Sequence, residues 1–239
     1  MHRSSYDKML AFRDAYLGHL VGTNLTILDV GSAAVSEDGA SYRTIFSEAG
    51  WRYIGLDVQP GANVDMAVDD PYRWQALPDA SIDVVISGQA FEHIEWPWLT
   101  IREIARVMRG NGIAAITAPS AGPVHRFPKD CWRYYPDGMP ALAAYAGLRV
   151  VEHHWDDGYA YPENAFWGEA FIVLQRPPRS ADDAVAPLGE VADAQAVARR
   201  AATMLGAANA WAVKAGLVRQ RLWELVAMLR TPLHRLKRF

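Results

Sequence analysis

Apolar side chains recur at helical spacing over residues 4–20, where Tyr6, Met9, Leu10, Tyr16, Leu17 and Leu20 share one face. This predicts an amphipathic helix, which Gly22 ends. The pattern then changes. Leu25-Thr26-Ile27-Leu28-Asp29-Val30 is a short β-rich apolar run followed by Gly31, and it predicts a first strand. Residues 41–50 read as a helix closed by Gly50. Residues 52–57 read as a second strand ending on Asp57, and residues 63–68 as a weaker third. Ile82-Asp83-Val84-Val85-Ile86-Ser87 predicts a buried strand, and residues 97–109 a helix with Leu99, Ile101, Ile104, Ala105 and Met108 toward the core. Arg109-Gly110-Asn111-Gly112 has turn chemistry. Residues 113–118 form a further strand stopped by Pro119, residues 138–146 a short helix, and residues 148–153 and 166–174 two final strands. Strands alternating with helices predict a doubly wound α/β fold, a parallel-rich sheet covered on both faces.

Composition changes this picture only past the last strand. Residues 177–189 are Pro-, Asp- and Ala-containing and read as a linker. Residues 190–239 are Ala-rich with a wide apolar face and end in the basic tail Leu233-His234-Arg235-Leu236-Lys237-Arg238-Phe239. The expected organisation is an N-terminal helix over the ligand site (1–22), a main domain (23–176), a linker and a C-terminal helical appendage. That apolar face must pack on something, and a homodimer through a helical hairpin is the expectation. The basic tail leaves peripheral membrane contact open. The 239 residues are 51% hydrophobic with net charge −3, so a sizeable core is expected and a dedicated nucleic-acid binder is disfavoured. Cys131 is the single cysteine, which excludes an intrachain disulfide, and a small buried role is expected for it. The first residues lack the apolar run of a signal peptide, so a reducing, cytoplasmic location is the default.

In an open α/β sheet, ligands sit beyond the carboxyl ends of strands where the strand order reverses. Asp29-Val30-Gly31 ends the first strand, and Gly31 permits close backbone approach. Asp57, 26 residues beyond Gly31, can accept both hydroxyls of a ribose. Asp69 and Asp70 follow the third strand and can accept from an adenine amino group. Ser87-Gly88-Gln89 ends the fourth, where Gly88 again permits close approach. The first loop, Gly31-Ser32-Ala33-Ala34-Val35-Ser36, lacks the Gly-x-Gly-x-x-Gly pattern that cradles a pyrophosphate, so a nucleoside without phosphates fits better.

Ile27-Leu28-Asp29-Val30-Gly31-Ser32, Gly55-Leu56-Asp57, the run from Ile82 to Ile94 and the run from Glu103 to Gly112 together resemble class I S-adenosylmethionine-dependent methyltransferases. The resemblance spans roughly residues 20–175. It implies a Rossmann-like seven-stranded sheet whose last strand is antiparallel, and S-adenosylmethionine as cofactor. It also implies that Asp29 and Gly31 line the methionine and ribose region, that Asp57 holds the ribose, that Asp70 or its neighbour Asp69 meets the adenine, and that Gln89 lies near the amino-acid end. Ala33 and Ala34 stand where relatives often carry further glycines.

An alcohol becomes a good methyl acceptor on losing its proton, so oxygen transfer calls for a base or a metal. Two segments carry candidates: Glu92-His93-Ile94-Glu95, and the long loop from Pro119 to Gly138. His125 and His93 are the leading bases, and Glu92 can orient an imidazole or hold a metal. Arg126, Asp130, Trp132, Arg133, Tyr134 and Tyr135 are candidates for gripping or stacking on an acceptor. Residues 125–138 resemble a loop of methyltransferases in bacterial polysaccharide biosynthesis, of which mycobacterial methylmannose polysaccharide synthesis is one candidate branch. That resemblance implies a sugar or polysaccharide-precursor hydroxyl as acceptor. Two alternatives remain open. In one, Glu92, His93 and His125 hold Mg²⁺ for methylation of an RNA end or a phenolic small molecule. In the other, the chain is a non-catalytic cofactor-binding assembly protein.

Overall fold

The computed structural model describes residues 3–34, 41–156 and 166–180. The expected linker beyond residue 180, the C-terminal helices and the basic tail lie outside the described residues, as does the end of the first loop.

The chain opens with α1 (Arg3–Phe12), whose buried Met9 and Phe12 lie on one face. It continues as a wider π turn (Arg13–Leu17) and a 3₁₀ turn (Gly18–Leu20), so the expected helix is one run that changes its winding. Then come β1 (Leu25–Val30), β2 (Trp51–Asp57), β3 (Met66–Ala67), β4 (Ile82–Gly88), α2 (Pro97–Val107), β5 (Met108–Ala118), α3 (Gly138–Tyr145), β6 (Arg149–Asp156) and β7 (Glu169–Gln175). The seven strands form one sheet in the order β3-β2-β1-β4-β5-β7-β6. β1 pairs in parallel with β2 and β4, and β4 with β5, whereas β7 runs antiparallel to both neighbours. The sheet thus has the Rossmann-like methyltransferase topology, its last strand reversed as expected.

β4 lies mid-sheet and is buried on both faces. From Val84 on its side chains alternate between two cores, while Ile82 precedes the register shift against β5 and falls on the side of Val85. Ile82 and Val85 join Leu28, Leu56, Trp74, Ile101 and Ile104 under α2. Val84 and Ile86 join Met9, Phe12, Leu17, Ile27 and Phe46 under the N-terminal helix. The order of strands reverses between β1 and β4, so the switch point lies beyond the carboxyl ends of those two strands.

Two local expectations are corrected. The helix expected over 41–50 is a single 3₁₀ turn, Tyr42–Ile45: the chain needs only to bury Tyr42, Ile45 and Phe46 before entering β2. The Arg109–Gly112 turn is absorbed into β5 as a bulge. Asn111 sits at φ 63°, its N–H donates to Arg176 O, and the pairing register with β4 shifts between Ile82 and Val84. A side chain at Gly112 would meet the carbonyl oxygens of Arg109 and Asp83 at about 3 Å, which accounts for glycine there.

Candidate functional site

At the switch point the first strand ends in a buried carboxylate. Asp29 is 2% exposed; the Tyr53 hydroxyl donates to its Oδ2, while its Oδ1 has no hydrogen-bond partner among the described residues. Burial pushes its carboxyl up to about 7, against the lowering effect of the Tyr53 bond. Asp57, at the end of β2, accepts from the Ala33 N–H at 3.0 Å and from the Gln59 N–H at 3.2 Å, and so holds the first loop in place. Gly31 has φ 78°, and a Cβ there would strike Ala90 at 2.3 Å. Its glycine character is therefore set by the turn and by Ala90, independent of any ligand.

Other expected groups do different work. Ser87 turns inward, donating to Val30 O at 2.8 Å, so it ties β4 to β1. The group that approaches Gly88 is the Tyr42 ring, with its hydroxyl 1.9 Å from where a Cβ would lie. Asp69 and Asp70 are exposed beyond β3, and Asp70 caps a turn by accepting from the Tyr72 N–H at 2.8 Å. Gln89, at φ 57°, donates to Glu169 at 2.8 Å.

Sequence reasoning missed the groups that frame this rim. Asn63 (φ 69°) donates to Ser32 O and Tyr53 and accepts from Arg43, whose guanidinium lies 4.4 Å over the Tyr53 ring and pairs with Asp65 at 2.6 Å. It also missed Glu169, which is 3% exposed and joins Lys8 of α1 to Gln89. An acid opening an otherwise apolar strand was the only sequence signal for it.

Beyond β4, Glu92 is fully buried, and burial pushes its carboxyl up to about 8. Among the described residues, neither of its carboxylate oxygens has a hydrogen-bond partner. The loop after β5 is clamped to this segment: the Cys131 and Trp132 N–H groups both donate to Glu92 O, at 2.7 and 3.2 Å, and the Tyr134 hydroxyl donates to Phe91 O at 3.0 Å. His93 Nε2 is 3.6 Å from Glu92 Oε1. The His93 and His125 rings meet edge to face, centroids 4.9 Å apart, and His125 also packs on Trp167 at 4.5 Å. Burial, and next the neighbouring His93, lower the pKa of His125, so its ring is neutral at pH 7. The two expected segments therefore converge in one cluster.

Around the cluster the loop residues divide. Asp130 and Arg133 pair at 2.6 Å, and those bonds hold the Asp130 carboxyl well below its ordinary range. Asp130 also accepts the His125 N–H at 2.7 Å, so the pair shapes the loop. Tyr134 is 5% exposed and packs in the core, which corrects its expected stacking role. Cys131 is exposed, not buried, because the clamp on Glu92 uses its backbone and leaves its side chain outside. Arg126, Phe127, Trp132 and Tyr135 are exposed.

Residues 28–116 match the model of the methyltransferase domain family. An uncharacterised methyltransferase of Mycolicibacterium gilvum is 32% identical over 104 residues, 39% of each chain. A probable S-adenosylmethionine-dependent methyltransferase of Mycobacterium tuberculosis is 46% identical over 44 residues, 18% of this chain and 16% of that one. The chain aligns over about two fifths of the length of the curated relatives it matches first. In fold, it is similar to phosphoethanolamine N-methyltransferase 2 of Haemonchus contortus in complex with S-adenosyl-L-methionine: TM-score 0.54, 14% identity, covering 72% of this chain and 52% of that one. Among the described residues no helix is long and apolar enough to cross a membrane.

Proposed function

We propose that this protein is an S-adenosylmethionine-dependent O-methyltransferase acting on a sugar or polysaccharide-precursor hydroxyl. One juxtaposition carries the reading. Asp29 and Asp57 end neighbouring strands β1 and β2, and the Glu92–His93–His125 cluster follows β4 and β5 at the same sheet edge. The matched domain model spans the first three of these residues and His93.

Asp57 has lone pairs left after its loop bonds and is suited to ribose hydroxyls. The unpaired Oδ1 of Asp29 is suited to the cationic methionine end. Bound there, S-adenosylmethionine would supply an electrophilic methyl group for in-line transfer to the acceptor oxygen, with neutral S-adenosylhomocysteine as the leaving group. An imidazole of the cluster, that of His125 or His93, takes the hydroxyl proton. The exposed aromatics Phe127, Trp132 and Tyr135 supply faces for a sugar ring, and Arg126 a donor for its hydroxyls.

Calorimetric titration with S-adenosylhomocysteine, followed by transfer of a labelled methyl group onto a panel of oligosaccharides, tRNA and catechols, tests the proposal. Micromolar cofactor binding with label on a glycan hydroxyl is the expected result. Label on RNA or catechol alone would remove the sugar assignment. A folded protein that does not bind the cofactor would remove the whole reading.

A further inference from the structure

The Glu92 carboxylate is fully buried with both oxygens unpaired among the described residues, a state that is unfavourable unless a proton or a cation compensates. Two imidazoles face it. His93 Nδ1 lies 2.5 Å from the carbonyl oxygen of Lys129 and must donate to it, so in the neutral ring Nε2, 3.6 Å from Glu92 Oε1, is the nitrogen open to a ligand. His125 Nδ1 faces the Asp130 carboxylate at 3.5 Å and the Arg133 guanidinium at 3.4 Å; with the ring proton on Nδ1 toward Asp130, its Nε2 is the nitrogen open to a ligand. One ligand atom from each of the three residues lies within 4.8 Å of the others.

Imidazoles that bind metals are oriented through their second nitrogen by a carbonyl or a carboxylate. Lys129 O and Asp130 stand in those two places. We propose that Glu92, His93 and His125 bind one divalent transition-metal ion. Two imidazole nitrogens and one carboxylate oxygen suit Zn²⁺, Co²⁺ or Fe²⁺. They do not suit Mg²⁺, which prefers oxygen ligands in near-octahedral geometry, so the Mg²⁺ alternative does not fit this donor set. Ligand atoms about 2.1 Å from a tetrahedral ion stand about 3.4 Å apart, so binding draws the three groups together. The inference deepens the proposed function and rests on the same cluster. A seated ion would acidify a bound hydroxyl in place of the imidazole, the proton leaving to water.

The test uses the full chain stripped with chelator and titrated with CoCl₂, and with ZnCl₂ against a chromophoric chelator. One equivalent of Co²⁺ with visible d–d absorption is expected, unaffected by millimolar Mg²⁺. His93→Ala, His125→Ala and Glu92→Gln should each weaken Zn²⁺ at least tenfold, with the far-ultraviolet spectrum unchanged. Should these variants not fold, Asp130→Asn, which replaces the carboxylate that faces His125 Nδ1 and pairs with Arg133, should weaken Zn²⁺ about tenfold with the far-ultraviolet spectrum unchanged. Absent Co²⁺ absorption in the wild type, or equal affinity in every folded variant, overturns the site. S-adenosylhomocysteine binding by a protein that takes no ion overturns the metal site and leaves the imidazole base. Ion binding without cofactor binding supports the site and removes the methyltransferase reading.

Discussion

His93 Nδ1 lies 2.5 Å from the backbone oxygen of Lys129, and this contact fixes which ring nitrogen is free. A carbonyl only accepts, so the neutral ring carries its proton on Nδ1 and presents a lone pair on Nε2 toward Glu92. Long-range ¹H–¹⁵N correlation at pH 8 should show His93 as the Nδ1–H tautomer. A ring protonated on Nε2 would show that the Lys129 contact does not hold in solution.

The cluster follows β4 and β5, whereas the acids proposed to hold the cofactor end β1 and β2. His125→Ala and His93→Ala should therefore lower kcat, the larger effect by about 10²-fold or more, with S-adenosylhomocysteine Kd within twofold of wild type. Weakened cofactor binding in step with turnover would place these rings in the cofactor pocket instead.

Asp57→Ala should weaken S-adenosylhomocysteine by about 10- to 100-fold, the loss of hydrogen bonds to a charged acceptor worth roughly 1.5–3 kcal/mol. Its contact with Ala33 N–H means that part of the loss comes from loosening the first loop. A change below threefold in calorimetry would exclude Asp57 from the ribose site.

Asp29 ties the fold to pH. Its folded carboxyl titrates at about 7, above its ordinary value of 3.8, so between those pH values the folded chain holds more protons than the unfolded one. Stability from this group is full below the lower value and is lost as pH rises through the upper one. Asp29→Asn keeps an acceptor for Tyr53 and cannot ionise. Its Tm relative to wild type should rise steadily from pH 4 to pH 7.5, and a flat difference would mean that Asp29 ionises freely in the fold.

Glu169 joins Lys8 to Gln89, fastening α1 to the rim of the sheet. Glu169→Ala removes the 2.6 Å ion pair with Lys8 and should cost about 3 kcal/mol in urea unfolding. Since α1 is expected to cover the cofactor, its Kd should rise as well. Lost stability with cofactor binding unchanged would show that α1 is no part of the pocket.

The strands, their order of types and the acids that close β1 and β2 were legible in the chain, because period-two burial and strand-ending residues are written locally. The convergence of Glu92, His93 and His125 was legible only as two candidate segments. Their contact depends on the Cys131 and Trp132 amides reaching back to Glu92 O, across about forty positions of sequence. Other assignments turned on direction rather than place. Ser87, Tyr134 and Cys131 sit where expected, yet each side chain points otherwise: into the β1 backbone, into the core, or out to solvent. Glu169, Asn63 and Arg43 escaped notice for the same reason, since an isolated polar residue acquires its role only from distant groups. The sequence by itself determined the periodicity that builds the sheet and the residue types along its edge. The tertiary structure alone decided which of those side chains face one another, because hydrogen-bond geometry and burial depend on directions in space that no local pattern encodes.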